Sequence, residues 1–325
     1  MMGQKWACGF SDRALAEAAG VPLDALHFDV DAIIAAHEAI KPIAERLGIN
    51  PPAPHLAGFT YAHIAALGAD IEFPPGSEPK PRPLIQSVNE IENLREPDDY
   101  LSAPLIRRRL EVLEELKKRV HNAVNSIGHI FEGPVTTAAL IFGDAFFTLP
   151  YDNPKLAHQL LDFATTSALN YAKTISNRLD IPLKRGPLSF PDDFAGIFPP
   201  DMFAEFVVPY WNRFFTELYE PTHRSVHSEL LRPEHLKFLA ELKVDLFDPG
   251  MDQYLSPETL QQHCPCAFTA PIHPWDIRDL SEDALEDLYI RYSRCGPEKI
   301  LFSMDSLSWE PKIARLLKVA RRLEN

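Results

Sequence analysis

The chain has 325 residues, 46% of them hydrophobic, which suits one large α/β domain or two modest ones with a sizeable core. Acidic residues outnumber basic ones by 46 to 32, and the formal net charge is −14. A field of that sign repels phosphate backbones and anionic lipid, which argues against nucleic acid and membrane partners. Four cysteines are too few for a disulfide scaffold, and neither a secretory signal nor a bilayer-length apolar run is visible, so we expect a cytoplasmic protein.

Helical patterns dominate the first part of the chain. Residues 14–19 and 30–47 are predicted to be helices, and we assign residues 1–50 to an N-terminal helical extension. Residues 73–82 are the most loop-like stretch and indicate a surface connection, not a domain boundary. A strong amphipathic pattern over residues 102–124 predicts a further helix.

From residue 125 onward, short apolar runs alternate with helical patterns, several of which have a proline in the first turn. The runs predicted as strands are Ser126 to Phe131, Pro187 to Phe190, Arg224 to His227, Val244 to Phe247, Ala267 to Ile272 and Ile300 to Met304. Such alternation implies a parallel sheet with right-handed crossovers. Six units, with room for two before them, predict a (β/α)₈ TIM barrel over residues 51–325. No GxGxxG or GxxxxGK[ST] motif follows a strand, so a nucleotide-binding open sheet lacks its signature.

Polar residues at the carboxyl ends of barrel strands face the active site, so the strand list yields a list of site candidates. His227 and Glu229 are two apart and point to the same face of an extended chain. A loop aspartate after a strand is more often a helix N-cap than a catalytic residue. A histidine such as His227, taken alone, is a hydrogen-bonded core residue about half the time. The candidates are Asp193, His227, Glu229, Asp248, Asp252, His273 and Asp305.

Two kinds of chemistry suit this set of side chains. His227 and Glu229 can bind a divalent metal, since imidazole and carboxylate both suit zinc, and the same groups can act as general acid and base. The other cysteine and histidine cluster, His263 with Cys264 and Cys266, precedes a strand and is expected at the amino face of the barrel, away from the site.

Four stretches resemble the uroporphyrinogen decarboxylase superfamily and together cover most of residues 60–325. The third and fourth are the most specific, and the resemblance implies a TIM barrel independently of the strand pattern. The stretches are LGADIEFPPGSEPKPRPLIQSVNEIENLREPD at 67–98, EGPVTTAALIFG at 132–143, FPDDFAGIFPPDMFAEFVVPYWNRF at 190–214 and SVHSELLRPEHLKFLAELKVDLFDP at 225–249.

Within the superfamily, the corrinoid-linked methyltransferase branch is the more similar. The arginine-rich loop with which true decarboxylases grip tetrapyrrole carboxylates has no counterpart before residue 100. The methyltransferases bind zinc through His-x-Cys and a later Cys. Here the histidine falls on His227, but its partner falls on Glu229, and the last cysteine falls near Asp305 or Ser306. An oxygen-rich site of this kind disfavours thiol activation, and favours a pterin or a methylated oxygen or nitrogen compound.

We therefore expect a corrinoid-dependent methyltransferase that uses a corrinoid protein or free cobalamin. The chain has no DxHxxG-type corrinoid motif of its own. The expected catalytic residues are Asp248, His273 and Asp305, the cofactor-binding residues Asp193 and Asp252, and the metal ligands His227 and Glu229. Two alternatives stay open: a decarboxylase-type lyase, for which Arg224 and Arg278 are the candidate carboxylate clamps, and a non-catalytic corrinoid-binding barrel.

Overall fold

The computed structural model describes residues 5–128, 131–181, 183 and 186–324, and a parallel six-stranded sheet lies at its centre. The sheet order is β1-β8-β7-β6-β5-β4, and every neighbouring pair is parallel. The other two strands form a small antiparallel pair. The strands are β1 Trp6–Phe10, β2 Ile71–Glu72, β3 Lys80–Pro81, β4 Pro187–Pro191, β5 His223–His227, β6 Leu246–Asp248, β7 Ala267–Pro271 and β8 Lys299–Met304.

Helices connect the strands and cover the outside of the curled sheet. None of the helices in the described part of the chain is long and apolar enough to cross a membrane. The α-helices are α1 Asp12–Ala19, α2 Val30–Leu47, α3 Ala62–Ala66, α4 Pro104–Arg119, α5 Pro134–Phe142, α6 Leu149–Asp152, α7 Pro154–Arg178, α8 Pro200–Phe206, α9 Val208–Glu217, α10 Lys237–Glu241, α11 Pro257–His263, α12 Pro274–Asp279, α13 Glu282–Ser293 and α14 Glu310–Glu324. Short 3₁₀ turns occupy Leu23–His27, Val88–Asn93, Tyr100–Ser102, Gly143–Phe147, Asp193–Ile197, Pro233–His235 and Leu307–Trp309.

The predicted βα alternation after residue 186 is confirmed, and so is the role of proline and serine at helix starts. Pro200 and Pro257 each occupy the first turn of a helix, where a missing N–H costs nothing. Ser281 caps α13 by accepting a hydrogen bond from the backbone N–H of Ala284 at 3.2 Å. The five strands predicted after residue 186 begin and end within two residues of their predicted bounds.

The N-terminal segment corrects the sequence analysis. The helices α1 and α2 match the predicted patterns, but residues 6–10 form a strand that pairs with β8, from Trp6 opposite Ile300 to Phe10 opposite Met304. Five residues are too few to show a reliable alternation, and this strand was missed for that reason. A purely helical extension is therefore wrong for residues 6–10, while a domain boundary at residue 50 stays a prediction.

The fold is TIM-barrel-like, but the parallel sheet of the described residues has six strands and not the eight of a closed barrel. Of the predicted strand at 126–131, residues 126–128 and 131 are not strand, and 129–130 lie outside the described residues. Two irregular segments, the described residues around 54–57 and 124–133, lie between the edge strands β4 and β1 instead. Gly133 donates to the carbonyl of Pro191 at the end of β4, at 2.6 Å, and Val124 donates to the carbonyl of Pro54 at 2.8 Å.

Arg109 of α4 holds these irregular segments in place. Its side chain is fully buried, and its guanidinium donates to the carbonyl oxygens of Ile127 and Ala57 at 2.8 and 2.9 Å. A third N–H points at Nδ1 of His27 at 3.0 Å. Burial, and then the charge of Arg109, lower the pKa of His27 to about 4, so this ring is neutral and its Nδ1 accepts. Arg109 thus replaces the strand-to-strand hydrogen bonds that these segments lack.

Replacing Arg109 with methionine should reduce the free energy of unfolding by about 3 kcal/mol, because two buried carbonyl groups lose their donor. Arg108→Met is the matched control, since Arg108 is exposed and lies over the ring of Phe28; it should change stability by less than about 1 kcal/mol. Urea unfolding of both variants gives the comparison. Equal losses of unfolding free energy in the two variants would show that Arg109 does not hold the irregular segments in place.

Candidate active site

Three neighbouring strands deliver their last residues to the same place. In the sheet register, Pro191 of β4 lies opposite His227 of β5, and His227 lies opposite Asp248 of β6. Parallel strands end at one edge, so the side chains that follow them converge at the carboxyl-terminal mouth of the sheet. The structure brings together Asp193, His227, Glu229 and Asp248 of the predicted candidates, with Asp252 beside them.

His227 lies between two carboxylates. Its Nδ1 is 2.9 Å from Oδ2 of Asp248, and its Nε2 is 3.3 Å from Oδ1 of Asp193. Burial lowers the pKa of the imidazole, but the hydrogen bonds and charges of Asp193 and Asp248 outweigh it and raise the pKa to about 10. Asp248 also accepts from Thr269 at 2.6 Å. His227 is therefore an imidazolium at neutral pH, held in orientation by its two partners.

Glu229 reaches the same centre through the loop after β6. Its Oε1 accepts the backbone N–H of Met251 at 2.8 Å. The preceding Gly250 has φ +58°, and a Cβ there would lie 2.6 Å from Cε1 of His227 and 2.8 Å from Oε1 of Glu229. Only glycine allows this approach. Burial and the charges of Asp193 and Asp252 raise the pKa of Glu229, and the hydrogen bond from the Met251 N–H lowers it in part.

Two further aspartates hold the backbone that forms the site. Asp192 is fully buried and accepts from the backbone N–H of Thr136 at 2.7 Å and from Nε1 of Trp211 at 2.6 Å. Burial raises the pKa of Asp192 to about 6 despite these donors. Asp252 is 5% exposed and accepts from the backbone N–H groups of Tyr254 and Leu255. Both carboxyl groups shape loops, and a cofactor contact by Asp252 or Asp193 stays a prediction.

Glu132 belongs to the cluster and was missed by the sequence analysis. Its side chain is 6% exposed, and its Oε2 has no hydrogen-bond partner among the described residues. Burial, followed by the charges of Asp193 and Asp192, raises its pKa well above the usual range, and His227 lowers it. The signal in the sequence was its position directly before Gly133. The structure shows why a glycine is needed there: a Cβ at that position would lie 2.4 Å from Cβ of Asp192, so the backbone passes very close to the site.

The two remaining candidates lie outside the His227 cluster. His273 stacks on Trp275, with ring centroids 4.4 Å apart, and its Nδ1 is 3.2 Å from Sδ of Met251. Burial lowers the pKa of His273. Asp305 follows β8 at the same end of the sheet and accepts from the hydroxyl of Ser303 at 3.2 Å. His273 therefore lies at the rim of the mouth, and catalytic roles for both residues stay predictions.

A cavity of about 340 Å³ opens beside the imidazolium. Backbone and apolar side chains from β1, β7 and β8 line it on one side, and His227, Asp248 and Gly250 line it on the other. Large apolar side chains around the mouth are exposed by 39 to 45%: Ile197, Met251, Tyr254 and Trp275. The mouth thus combines an acidic centre with an apolar rim.

The donor set does not fit a zinc ion as it stands. Among the described residues no three histidine, cysteine, aspartate or glutamate side chains form a group that could hold a metal. Both ring nitrogens of His227 face carboxylates, whereas zinc binding requires one of them as a free ligand. Zinc binding at His227 and Glu229 stays a prediction, and it would require His227 to release one of its two carboxylate partners.

The two neighbouring cysteines Cys264 and Cys266 lie at the opposite end of the sheet, as expected. Cys264 and Cys266 directly precede the first residue of β7, and their Sγ atoms are 3.7 Å apart. Arg224, one of the two proposed clamps, donates to the carbonyl of Leu242 near the start of β5, also away from the mouth.

Comparison with known proteins agrees with the fold. A family model described as "Uroporphyrinogen decarboxylase (URO-D)" matches residues 60–263. The fold is similar to that of a methyltransferase from Methanosarcina mazei, with a TM-score of 0.75 and 15% sequence identity; the match covers 100% of this chain and 96% of that one. No curated protein sequence matches the chain. At 15% identity, the structural likeness concerns the fold alone.

The charged state of His227 predicts a pH-dependent contribution to stability. The folded pKa is raised to about 10, above the ordinary value of about 6.5, so the contribution is complete below about pH 6.5 and is lost as the pH rises through about 10. The difference in unfolding free energy between the wild type and His227→Gln should therefore be largest near pH 6 and shrink toward pH 10.

Urea unfolding at several pH values measures this difference, and His223→Gln is the matched control because that ring lies at the start of β5 and is half exposed. A difference that stays constant from pH 6 to pH 10 would mean that His227 is not held as a cation.

Proposed function

Because the chain belongs to the uroporphyrinogen decarboxylase family, we propose that it is a methyltransferase of that family, which moves a methyl group to or from a corrinoid. The corrinoid arrives on a partner protein or as free cobalamin. A pterin such as tetrahydrofolate, or a methylated oxygen or nitrogen compound, is the other partner.

The observation that carries this proposal is the position of His227 at the edge of the cavity, between the carboxyl groups of Asp193 and Asp248. When a methyl group leaves oxygen or nitrogen, the heteroatom keeps the electron pair and needs a proton. Nε2 of His227 carries one, while Asp248 fixes the ring through Nδ1. In the reverse direction, Asp193 lies within reach of the same hydrogen and can accept it. The bound corrinoid supplies the cobalt that gives or takes the methyl group.

The residues at the mouth support an oxygen or nitrogen partner over a thiol. Glu229 occupies the position where the methyltransferase branch has a cysteine, and its carboxylate accepts a backbone N–H beside His227. A carboxylate manages protons but does not supply the soft ligand of a zinc-bound thiolate. The exposed rim of Met251, Tyr254 and Trp275 suits the apolar face of a large planar partner.

The lyase alternative has no comparable support. A decarboxylase needs cationic clamps for the substrate carboxylates. Arg224 lies near the start of β5, and Arg278 pairs with the neighbouring Asp279 at 2.7 Å. Neither arginine contacts the His227 cluster at the mouth of the sheet, so the carboxylates of that cluster would repel a polycarboxylated substrate.

Cobalt absorbance tests the proposal. The protein mixed with methylcobalamin should transfer its methyl group to tetrahydrofolate faster than to coenzyme M, and the reverse reaction should use cob(I)alamin. His227→Gln and Asp248→Asn should each lower kcat at least about 100-fold, since a positioned acid or base contributes on the order of 10²–10⁴.

Glu234→Gln, which changes an exposed carboxylate in the turn after β5, is the control and should keep the full rate. Coenzyme M as the better acceptor would overturn the role given to Glu229. If no corrinoid reacts and a carboxylated tetrapyrrole loses carbon dioxide, the lyase function replaces this one.

A further inference from the structure

Carboxyl groups at the mouth outnumber the donors that face them. Asp192 and Asp252 are held by backbone N–H groups, Asp248 by Thr269 and His227, and Glu229 by the N–H of Met251. Buried carboxyl oxygens without a hydrogen-bond partner among the described residues remain on Glu132, Asp193 and Asp252, and the imidazolium beside Asp193 is already shared with Asp248.

Glu132 is the most demanding of the three. It is 6% exposed, and its Oε2 is buried without a hydrogen-bond partner among the described residues. Burial and the charges of Asp193 and Asp192 oppose ionisation of Glu132, and the charge of His227 favours it. Leaving a buried polar atom unpaired costs about 1–3 kcal/mol, so such an atom signals a partner that binds during function.

Asp193 is the more accessible of the two carboxyl groups. Its side chain is 37% exposed, whereas that of Glu132 is buried. Tyr61 is half-buried, and burial followed by the charges of Glu132, Glu78 and Asp193 raises its pKa, so its side chain lies within electrostatic range of the two carboxyl groups. The pair therefore offers two oxygen acceptors and an aromatic side chain to whatever enters.

We propose that Glu132 and Asp193 bind a cationic nitrogen, so that the small-molecule partner in methyl transfer is an amine bound in its ammonium form. This rests on the proposed function and names its substrate class. A metal ion needs three or more convergent ligands, which the described residues do not supply. An ammonium group needs only acceptors for its N–H bonds, and two carboxyl groups with an aromatic neighbour provide them.

The charge state of the bound nitrogen sets the order of the steps. An ammonium nitrogen has no lone pair, so the bound amine first gives its N–H proton to the carboxylate of Asp193 or Glu132. The lone pair then forms the new N–C bond, the electron pair of the old bond stays with the methyl donor, and the remaining carboxylate stabilises the nitrogen as it becomes positive again.

Binding of a matched pair of compounds tests the proposal without any corrinoid. N,N-dimethylethanolamine is a cation at pH 7, and 3-methylbutan-1-ol has the same shape without the charge. In isothermal titration calorimetry the amine should bind at least about tenfold more tightly than the alcohol, as expected for a charged hydrogen bond. Glu132→Gln and Asp193→Asn should each remove that preference, and Glu234→Gln should keep it.

Equal binding of the two compounds, or an unchanged preference in Glu132→Gln, would overturn the proposal. Circular dichroism and the Tm of each variant establish that it is folded; if Glu132→Gln does not fold, Asp193→Asn decides. Failure of the two proposals can be told apart. Amine selectivity without corrinoid turnover would overturn the methyltransferase function alone, and corrinoid turnover without amine selectivity would overturn this inference alone.

Discussion

One imidazolium among six carboxyl groups is the interaction on which the mouth of the barrel depends. Like charges at this density are tolerable only where a proton, a backbone N–H or a cation offsets each of them. His227 offsets two, and backbone donors offset most of the others. What remains unpaired is what the site presents to a substrate. The carboxyl groups are those of Glu132, Asp192, Asp193, Glu229, Asp248 and Asp252.

The fold produces this arrangement through register and one close approach. Parallel pairing places the ends of β4, β5 and β6 side by side, so that His227 meets a carboxylate on each flank. Gly250 then lets the loop after β6 approach His227 and Glu229. On the far side, where the described residues form no regular strand, Arg109 holds the backbone with buried hydrogen bonds. The site therefore depends on regular pairing on one side and on a buried cation on the other.

Much of this was accessible from sequence, because strand ends are recognisable where a βα alternation is regular. His227 and Asp248 were predicted together for that reason, and the structure joins them. Glu132 could not be found in this way, since it follows an irregular segment and not a strand. Strand β1 was too short to show a period, and its pairing partner lies almost 300 residues away. Sequence also cannot show that Asp305, although at a strand end, accepts a hydrogen bond from Ser303 and lies outside the His227 cluster.

The protonation state of His227 tests the account most directly, because the balance of charge at the mouth follows from it. Nitrogen NMR of protein labelled at histidine, with His227→Gln to assign the signal, reports both ring nitrogens as a function of pH. The account predicts two protonated nitrogens at pH 8 and a transition near pH 10. A ring that is neutral at pH 8, with a transition near the ordinary value of about 6.5, would contradict it.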